Sequence, residues 1–150
     1  MSVMLTRVSG GSDMQQLEWT FGSHSVRYEA PDVVQATFVG PIDLDEIKRA
    51  VDVYGEIAQQ YGPYYLIADI GRSQLGAEPR RYLSENGKAD WFKGTVYVGA
   101  DVVQQTFGKV IALGMLFTGK ARFETTFVKD HDEARAWVAQ HRQKNKKKLG

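Results

Sequence analysis

The sequence contains no cysteine, and its net charge is small for its length. The absence of cysteine excludes disulfide bonds, thiol catalysis and cysteine-ligated metal sites. A chain of 150 residues has the usual size of one domain and can bury a core without such crosslinks. We therefore expect one domain of ordinary globular composition.

A strong basic excess and a long hydrophobic run are also missing. The formal net charge is +1, and the C-terminal lysines alone exceed it, so the rest of the chain is net acidic and no specific nucleic-acid partner is expected. The longest apolar run, Val110 to Phe117, is far shorter than the ~20 residues of a membrane span. Met1 to Met14 shows no secretory signal pattern. We expect a cytoplasmic protein without a membrane span.

The two ends of the chain are expected to lie outside the main domain, residues 23–142. Residues 1–22 are predicted to be a flexible N-terminal segment or an extra edge strand, because Leu17, Trp19 and Phe21 alternate with polar residues. The favoured interpretation is an apolar patch docked on the body. Residues 143–150 are rich in lysine and are predicted to be a basic, disordered tail.

The domain is predicted to open with a hairpin and a helix. Val26–Ala30 and Val33–Val39 alternate apolar and polar residues, which predicts two strands. Only two residues separate them, which favours an antiparallel pair. Asp43–Tyr61 has one apolar stripe at helical spacing, and Asp43 followed by Glu46 fits a capping box in which Asp replaces Ser or Thr.

The centre of the chain predicts a buried strand followed by a loop and a second helix. Tyr64–Ile70 is a continuous apolar run interrupted only by Asp69, which is typical of a strand covered on both faces. Gly71–Ala77 is polar and rich in glycine and predicts a loop. Pro79 suits the first turn of a helix that continues to about Phe92.

The last third predicts two more strand and helix pairs. Thr95–Gly99 and Arg122–Val128 are expected to be strands, Asp101–Phe117 a helix, and Asp130 the start of a final helix. Inward-facing residues of the third helix are expected to be Val103, Phe107, Val110, Leu113 and Phe117. The order β-β-α-β-α-β-α-β-α predicts the α/β class, with a mixed, mostly parallel sheet of four to five strands and helices packed against it.

No catalytic residue, cofactor site or metal site is predicted. Gly114–Lys120 has the spacing of a phosphate-binding loop, but Ala121 replaces the Ser or Thr that holds magnesium, and the motif follows a helix instead of a strand. The histidines His24, His131 and His141 lack metal-ligand spacing. No serine has the flanking glycines of a nucleophile elbow. An enzyme with an unrecognised site is the least favoured of three alternatives.

One segment is a candidate interaction loop. Ligands of open α/β sheets bind beyond the carboxyl ends of the strands, where Asp69 is followed by Arg72 and Ser73. Arg80 and Arg81 lie at the start of the second helix, whose N-terminus favours an anion such as a phosphorylated hydroxyl. A surface loop whose charges are merely solvated is the alternative.

Several segments, in order, resemble the STAS superfamily and most closely its SpoIIAA-like (STAS/SEC14-type) branch. These segments are Tyr28–Asp32, Gly40–Asp43, Leu66–Ile70, Ala77–Arg81, and Phe127–Asp130 with Glu133–Val138. The resemblance implies a four- or five-stranded sheet with helices and a regulatory or ligand-responsive interaction module. In classical members an Asp-Ser-Ser-Gly-like turn carries a phosphorylated serine. This chain lacks that turn, so phosphorylation of Ser73, the nearest hydroxyl, is left open.

The function expected first is a non-catalytic regulatory module that binds an unidentified protein through the candidate loop. The alternative is a carrier or sensor of a small apolar, lipid-like ligand in a pocket between sheet and helices, which the SEC14-like side of the resemblance implies. Aromatic residues in apolar stripes, such as Tyr54 and Phe107, favour this alternative, although such stripes are more often plain core. A homodimer is left open.

Overall fold

The computed structural model describes residues 4–8, 16–115 and 123–149, with side chains from 17 to 115 and from 123 to 146. Within these residues there are seven strands, four α-helices and one short 3-10 helix. In chain order they are β1 (Met4–Val8), β2 (Gln16–Phe21), β3 (His24–Glu29), β4 (Val33–Ile42), α1 (Leu44–Tyr61), β5 (Tyr64–Leu75), α2 (Ala77–Asn86), the 3-10 helix (Ala89–Trp91), β6 (Phe92–Val98), α3 (Val102–Met115), β7 (Glu124–Val128) and α4 (His131–Leu149).

The strands form one sheet in the sequential order β1 to β7. Pairings from β1 to β4 are antiparallel, and those from β4 to β7 are parallel. The predicted α/β class with a mixed sheet is confirmed. The predicted strand number and mostly parallel pairing are wrong, because the N-terminal part adds the antiparallel strands β1 and β2.

The segment before the hairpin is a member of the sheet, and not an apolar patch on its surface. Leu17, Trp19 and Phe21 are buried, and Trp19 lies opposite Val26 of β3. The alternation noted in the sequence is therefore that of a strand with one face on the core and one face toward solvent. β3 and β4 form the predicted antiparallel hairpin.

The helices divide between the two faces of the sheet. Right-handed crossovers between strands added in one direction place their helices on the same face. Accordingly, the larger core contains Ile47 of α1 and Ile111 of α3, with Leu83 of α2 packed against it. On the opposite face α4 contributes Val138 to a smaller core around Ile67 of β5.

The start of the first helix agrees with its local sequence signals. The Asp43 carboxylate accepts a hydrogen bond from the Glu46 backbone N–H at 2.8 Å, and the Glu46 carboxylate accepts one from the Asp43 N–H at 3.0 Å. The predicted capping box is thus confirmed. The helix ends at Tyr61, and the C-cap residue Gly62 that follows has a φ of 89°, which lies in the region that favours glycine.

The predicted loop Gly71–Ala77 is wrong for most of its length, because β5 continues to Leu75. β4 likewise continues past Val39 to Ile42. The added residues pair as Gly40 with Ser73, Pro41 with Gln74 and Ile42 with Leu75. Turn-forming residue types here belong to a parallel ladder, in which each strand supplies the hydrogen-bond partners of the other.

Two helix ends also differ from expectation. α2 stops at Asn86, where the Gly87 N–H donates to the Leu83 carbonyl at 2.9 Å, and Phe92 begins β6. α4 continues to Leu149, where the sequence predicts a disordered tail. β7 begins at Glu124, and the predicted strand start at 122 lies outside the described residues.

The orientation predicted for α3 is wrong. Val103, Val110 and Leu113, expected to face inward, are exposed, and the buried positions are Gly108, Ile111 and Met115. Phe107 is partly buried, and Phe117 lies outside the described residues. α3 is apolar around most of its circumference, so several stripes fit a period of 3.6 residues equally well.

A buried acidic residue links α4 to the sheet. Asp32, in the turn between β3 and β4, is 9% exposed. Its carboxylate accepts hydrogen bonds from Lys93 at 3.0 Å and from Arg142 of α4. Burial by itself would raise the pKa of Asp32, but the hydrogen bonds and charges of Arg142 and Lys93 lower it below its ordinary value.

This pairing predicts a loss of stability in acid. A carboxyl group whose pKa is lower in the folded chain stabilises the fold above its unfolded pKa, and that contribution is lost as the pH falls through the folded pKa. Below about pH 4 the free energy of unfolding of the wild type should fall more steeply than that of Asp32→Asn. Urea unfolding between pH 5 and 2 measures this. Asp52→Asn, at an exposed position, is the control, and equal slopes for all three proteins would contradict the prediction.

Candidate functional site

Three of the five candidate residues, Asp69, Arg72 and Ser73, lie on β5, and Asp69 and Ser73 face opposite sides of it. The Asp69 side chain faces α4, with its Oδ2 atom 3.0 Å from Nε2 of His131. Ser73 faces the opposite side, is buried, and donates its hydroxyl hydrogen to the Ile70 carbonyl at 2.8 Å. The sheet itself therefore separates these two predicted site residues.

The three arginines of the segment are also dispersed. Arg80 lies on α2, where its guanidinium group is 3.7 Å from the ring centroid of Phe107, and its Nη1 donates to the Leu75 carbonyl at 2.9 Å. Arg72 and Arg81 are exposed. The five predicted residues do not converge on one point, and their role as an interaction surface stays a prediction.

A register shift in β5 determines which residues face α1 to α3. Thr37 pairs with Asp69, but Val39 pairs with Arg72, so β5 carries one more residue than β4 in this interval. Such a bulge resets the alternation of side chains along the strand. As a result Ile70, Ser73 and Leu75 all line the space beneath the helices.

That space is a cavity of about 310 Å³ between the sheet and helices α1, α2 and α3. Its walls are predominantly apolar. The sheet contributes Phe38, Ile42, Leu66, Ala68 and Phe92, and the helices contribute Ile47, Leu83, Phe107, Ile111 and Met115. A cavity of this size and character falls in the lower range of small-molecule sites.

Small residues leave the room for this cavity. Ala68 of β5, together with Gly108 and Ala112 of α3, lines it. Gly108 also brings α3 close to the sheet, because a Cβ atom there would lie 3.1 Å from the Phe127 ring and 3.3 Å from the Tyr97 ring. Larger side chains at these positions would either fill the cavity or displace α3.

The polar groups of the cavity wall are neutral, with one exception. Thr95 shares a hydrogen bond of 2.8 Å with Thr125, and the Gln104 amide donates to the Ile70 carbonyl at 2.9 Å. Burial raises the pKa of Tyr97 to about 12, so its hydroxyl stays protonated at neutral pH. Asp101 is the sole acidic or basic residue among the described lining residues, and it is exposed at the rim. This wall suits an apolar molecule with a neutral polar group.

Three titratable side chains contact one another in a row on the face of the sheet that α4 covers. The Tyr65 hydroxyl is 2.8 Å from Nδ1 of His141, and Nε2 of His141 is 3.5 Å from Glu124. His141 is buried. Burial raises the pKa of Tyr65, which opposes a role as a nucleophile. We interpret this row of side chains as a structural contact that holds α4 on the sheet.

No group of three or more histidine and acidic side chains is placed to hold a metal ion within the described ranges. Of the phosphate-loop-like string, Gly114 lies within α3, and residues 116–122 lie outside the described residues. None of the helices in the described part of the chain is long and apolar enough to cross a bilayer.

The sequence predicts a pocket between sheet and helices, but it does not identify the residues that form the pocket wall. Ala68, Gly108 and Ala112 are small residues within apolar stretches, and that smallness is the one signal available. It is ambiguous, because a small residue serves close packing as often as it leaves a void.

Comparison with known proteins gives no family model and no curated protein that matches. Two solved structures are similar in overall fold. The anti-sigma factor antagonist SpoIIAA in its unphosphorylated form has a TM-score of 0.48 and 9% identity, over 79% of this chain and 98% of that one. An uncharacterized DUF3478-family protein with a SpoIIAA-like fold from Shewanella loihica has a TM-score of 0.46 and 14% identity, over 91% and 93%. At these values neither structure assigns a ligand, a partner or an activity to this chain.

Proposed function

We propose that the protein binds one small, largely apolar and uncharged molecule in the cavity beneath α1, α2 and α3. The observation that carries this proposal is the cavity of about 310 Å³ with an apolar wall. Cores are normally filled to the density of organic crystals, so an unfilled apolar space of this size between sheet and helices suits a bound molecule. Apolar cavities of about half this volume bind small aromatic molecules.

The polar groups narrow the class of ligand. The hydroxyl groups of Thr95 and Tyr97 can form hydrogen bonds with a hydroxyl or carbonyl group, whereas the Gln104 amide is already bonded to the Ile70 and Ser73 carbonyls. A carboxylate placed inside would lose its hydration without meeting a cation among the described lining residues, which is unfavourable. An alcohol, a ketone or an ester therefore fits the described wall better than a free acid.

Filling the cavity tests the proposal. Ala112→Phe places a ring in the void from a helical position, and Ala136→Phe adds the same ring at an exposed position of α4 as the control. The neutral dye Nile red should bind the wild type and Ala136→Phe at one equivalent, and Ala112→Phe at least tenfold more weakly. Native mass spectrometry of freshly purified wild type should show a bound molecule that Ala112→Phe lacks. No dye binding and no bound molecule in the wild type would rule the proposal out.

The regulatory protein-interaction role expected from the sequence stays a prediction. Arg72 and Arg81 are exposed and available to a partner. A ligand-responsive module would combine both roles if occupancy of the cavity altered α2, which carries Arg81 and contributes Leu83 to the cavity wall.

A further inference from the structure

The outer face of α3 is unusual among the described surfaces. The exposed large hydrophobic residues of the described chain all lie on this helix: Val102 at 79%, Val103 at 58%, Val110 at 60% and Leu113 at 59% exposed. Single exposed hydrophobic residues are ordinary, but a contiguous group marks an interaction surface.

Three of these residues, together with Thr106, form a single stripe. Val103, Thr106, Val110 and Leu113 follow one another at intervals of three, four and three residues, which places them on one side of a helix. The opposite side of α3 faces the cavity and the sheet through Ile111. A helix that is apolar on both sides is expected to be covered on both.

The apolar patch on α3 is too small to hold a second copy of the chain in a stable dimer. α3 has 14 residues and is about 21 Å long, and one side of it offers on the order of 200 Å². A stable protein interface buries about 800 Å² on each partner. An α3-to-α3 contact falls well below that value.

The stripe is continuous with the mouth of the cavity. Val103 is exposed and also lines the cavity. Phe107, one helical turn further along α3, lines the cavity as well. A molecule that leaves the cavity past Val103 reaches the apolar stripe. α3 carries no acidic residue, and its one charged residue, Lys109, is a cation. This combination suits a lipid surface, which is apolar below its headgroups and often anionic.

We infer that α3 docks on the surface of a lipid bilayer, with Val102, Val103, Val110 and Leu113 inserted among the lipids, and that the cavity is loaded from there. This inference rests on the proposed function for its second half. Docking itself follows from the stripe, so the two can fail separately. Since α3 has a single cation, uncharged phosphatidylcholine should suffice, and anionic lipid should strengthen binding by only a few fold.

Flotation with phosphatidylcholine vesicles, with and without one fifth phosphatidylserine, tests docking. The substitutions Val110→Asp and Leu113→Asp together change the stripe at positions outside the cavity wall. Ala136→Asp with Ala139→Asp adds the same charge to exposed positions of α4 as the control. We expect wild type and control to float, and the α3 variant to lose at least tenfold in vesicle binding while it keeps Nile red binding in solution.

Each other result has a defined meaning. Wild type that does not float overturns docking, whatever its dye binding. A wild-type dimer in sedimentation that the α3 substitutions dissociate, without vesicle binding, assigns the stripe to a second copy and overturns docking. Flotation of a wild type that neither binds the dye nor carries a bound molecule supports docking and removes the proposed function. Should the aspartate variant misfold by circular dichroism, Val110→Ser with Leu113→Ser replaces it, and unchanged flotation of that folded variant overturns docking.

Discussion

Replacement of Tyr64 by alanine is expected to lower the free energy of unfolding by about 3–5 kcal/mol, the range for large aromatic residues in cores. Tyr64 is fully buried at the start of the interior strand β5. Its ring meets Phe92 edge-on at 5.6 Å between centroids, and its hydroxyl donates to the Tyr54 carbonyl of α1 at 3.0 Å. Alanine would remove the contact between sheet and helix and leave a cavity. Urea unfolding followed by circular dichroism measures the loss.

Tyr64→Phe is the matched control, because it removes only the hydroxyl. Burial raises the pKa of Tyr64 well above its ordinary value, so the group is a neutral donor at every pH where the protein is studied. Loss of one such hydrogen bond costs about 1 kcal/mol. A loss of less than 1 kcal/mol for Tyr64→Ala would show that this ring does not anchor α1 to the sheet.

Replacement of Gly94 by alanine is expected to destabilise the protein by about 1–3 kcal/mol, the usual cost of overpacking. Glycine within a strand is normally a weakness, and alanine would be expected to improve it. Here a Cβ atom would lie 2.8 Å from Cη2 of Trp137 and 3.3 Å from Cδ1 of Tyr65. Because α4 rests on β6 through this contact, the methyl group would displace the helix. The informative result is a loss of stability at a position where alanine would ordinarily bring a gain.

A double-mutant cycle identifies the cause. Trp137→Leu removes the ring that the new methyl group would meet, so it should cost less in the Gly94→Ala background than in the wild type, with a coupling of 0.5–3 kcal/mol. Gly76→Ala is the control, because the nearest atom to its added Cβ would be Pro79 Cδ at an ordinary 3.8 Å. Additive losses, or a stabilised Gly94→Ala, would contradict close packing of Trp137 on Gly94.

Local signals predicted those elements whose causes are local. The capping box of Asp43 and Glu46 needs only residues three positions apart, and the α1 stripe needs only the helical period. The hairpin of β3 and β4 follows from alternation and a two-residue turn. In each case the interacting groups are neighbours in the chain, so their pattern can be read without knowledge of the rest of the fold.

The candidate site could not be predicted in the same way. Its wall combines β4, β5, β6 and all three helices of one face, and the bulge near Asp69 decides that Ser73 faces inward. No residue in the Gly71 to Leu75 segment indicates a strand by itself. The segment is a strand because it pairs with Gly40 to Ile42 of β4. Pairing between residues more than thirty positions apart leaves no local trace.

By itself, the sequence determined the α/β class, the alternation of strands and helices after an opening hairpin, and the absence of cysteine chemistry. Tertiary structure alone decided that the N-terminal segment extends the sheet, that α3 turns Val103, Val110 and Leu113 outward, and that a cavity lies beneath it. The reason is that α3 is apolar on most sides. Its periodicity allows several orientations, and only the close approach of Gly108 to Phe127 and Tyr97 selects one.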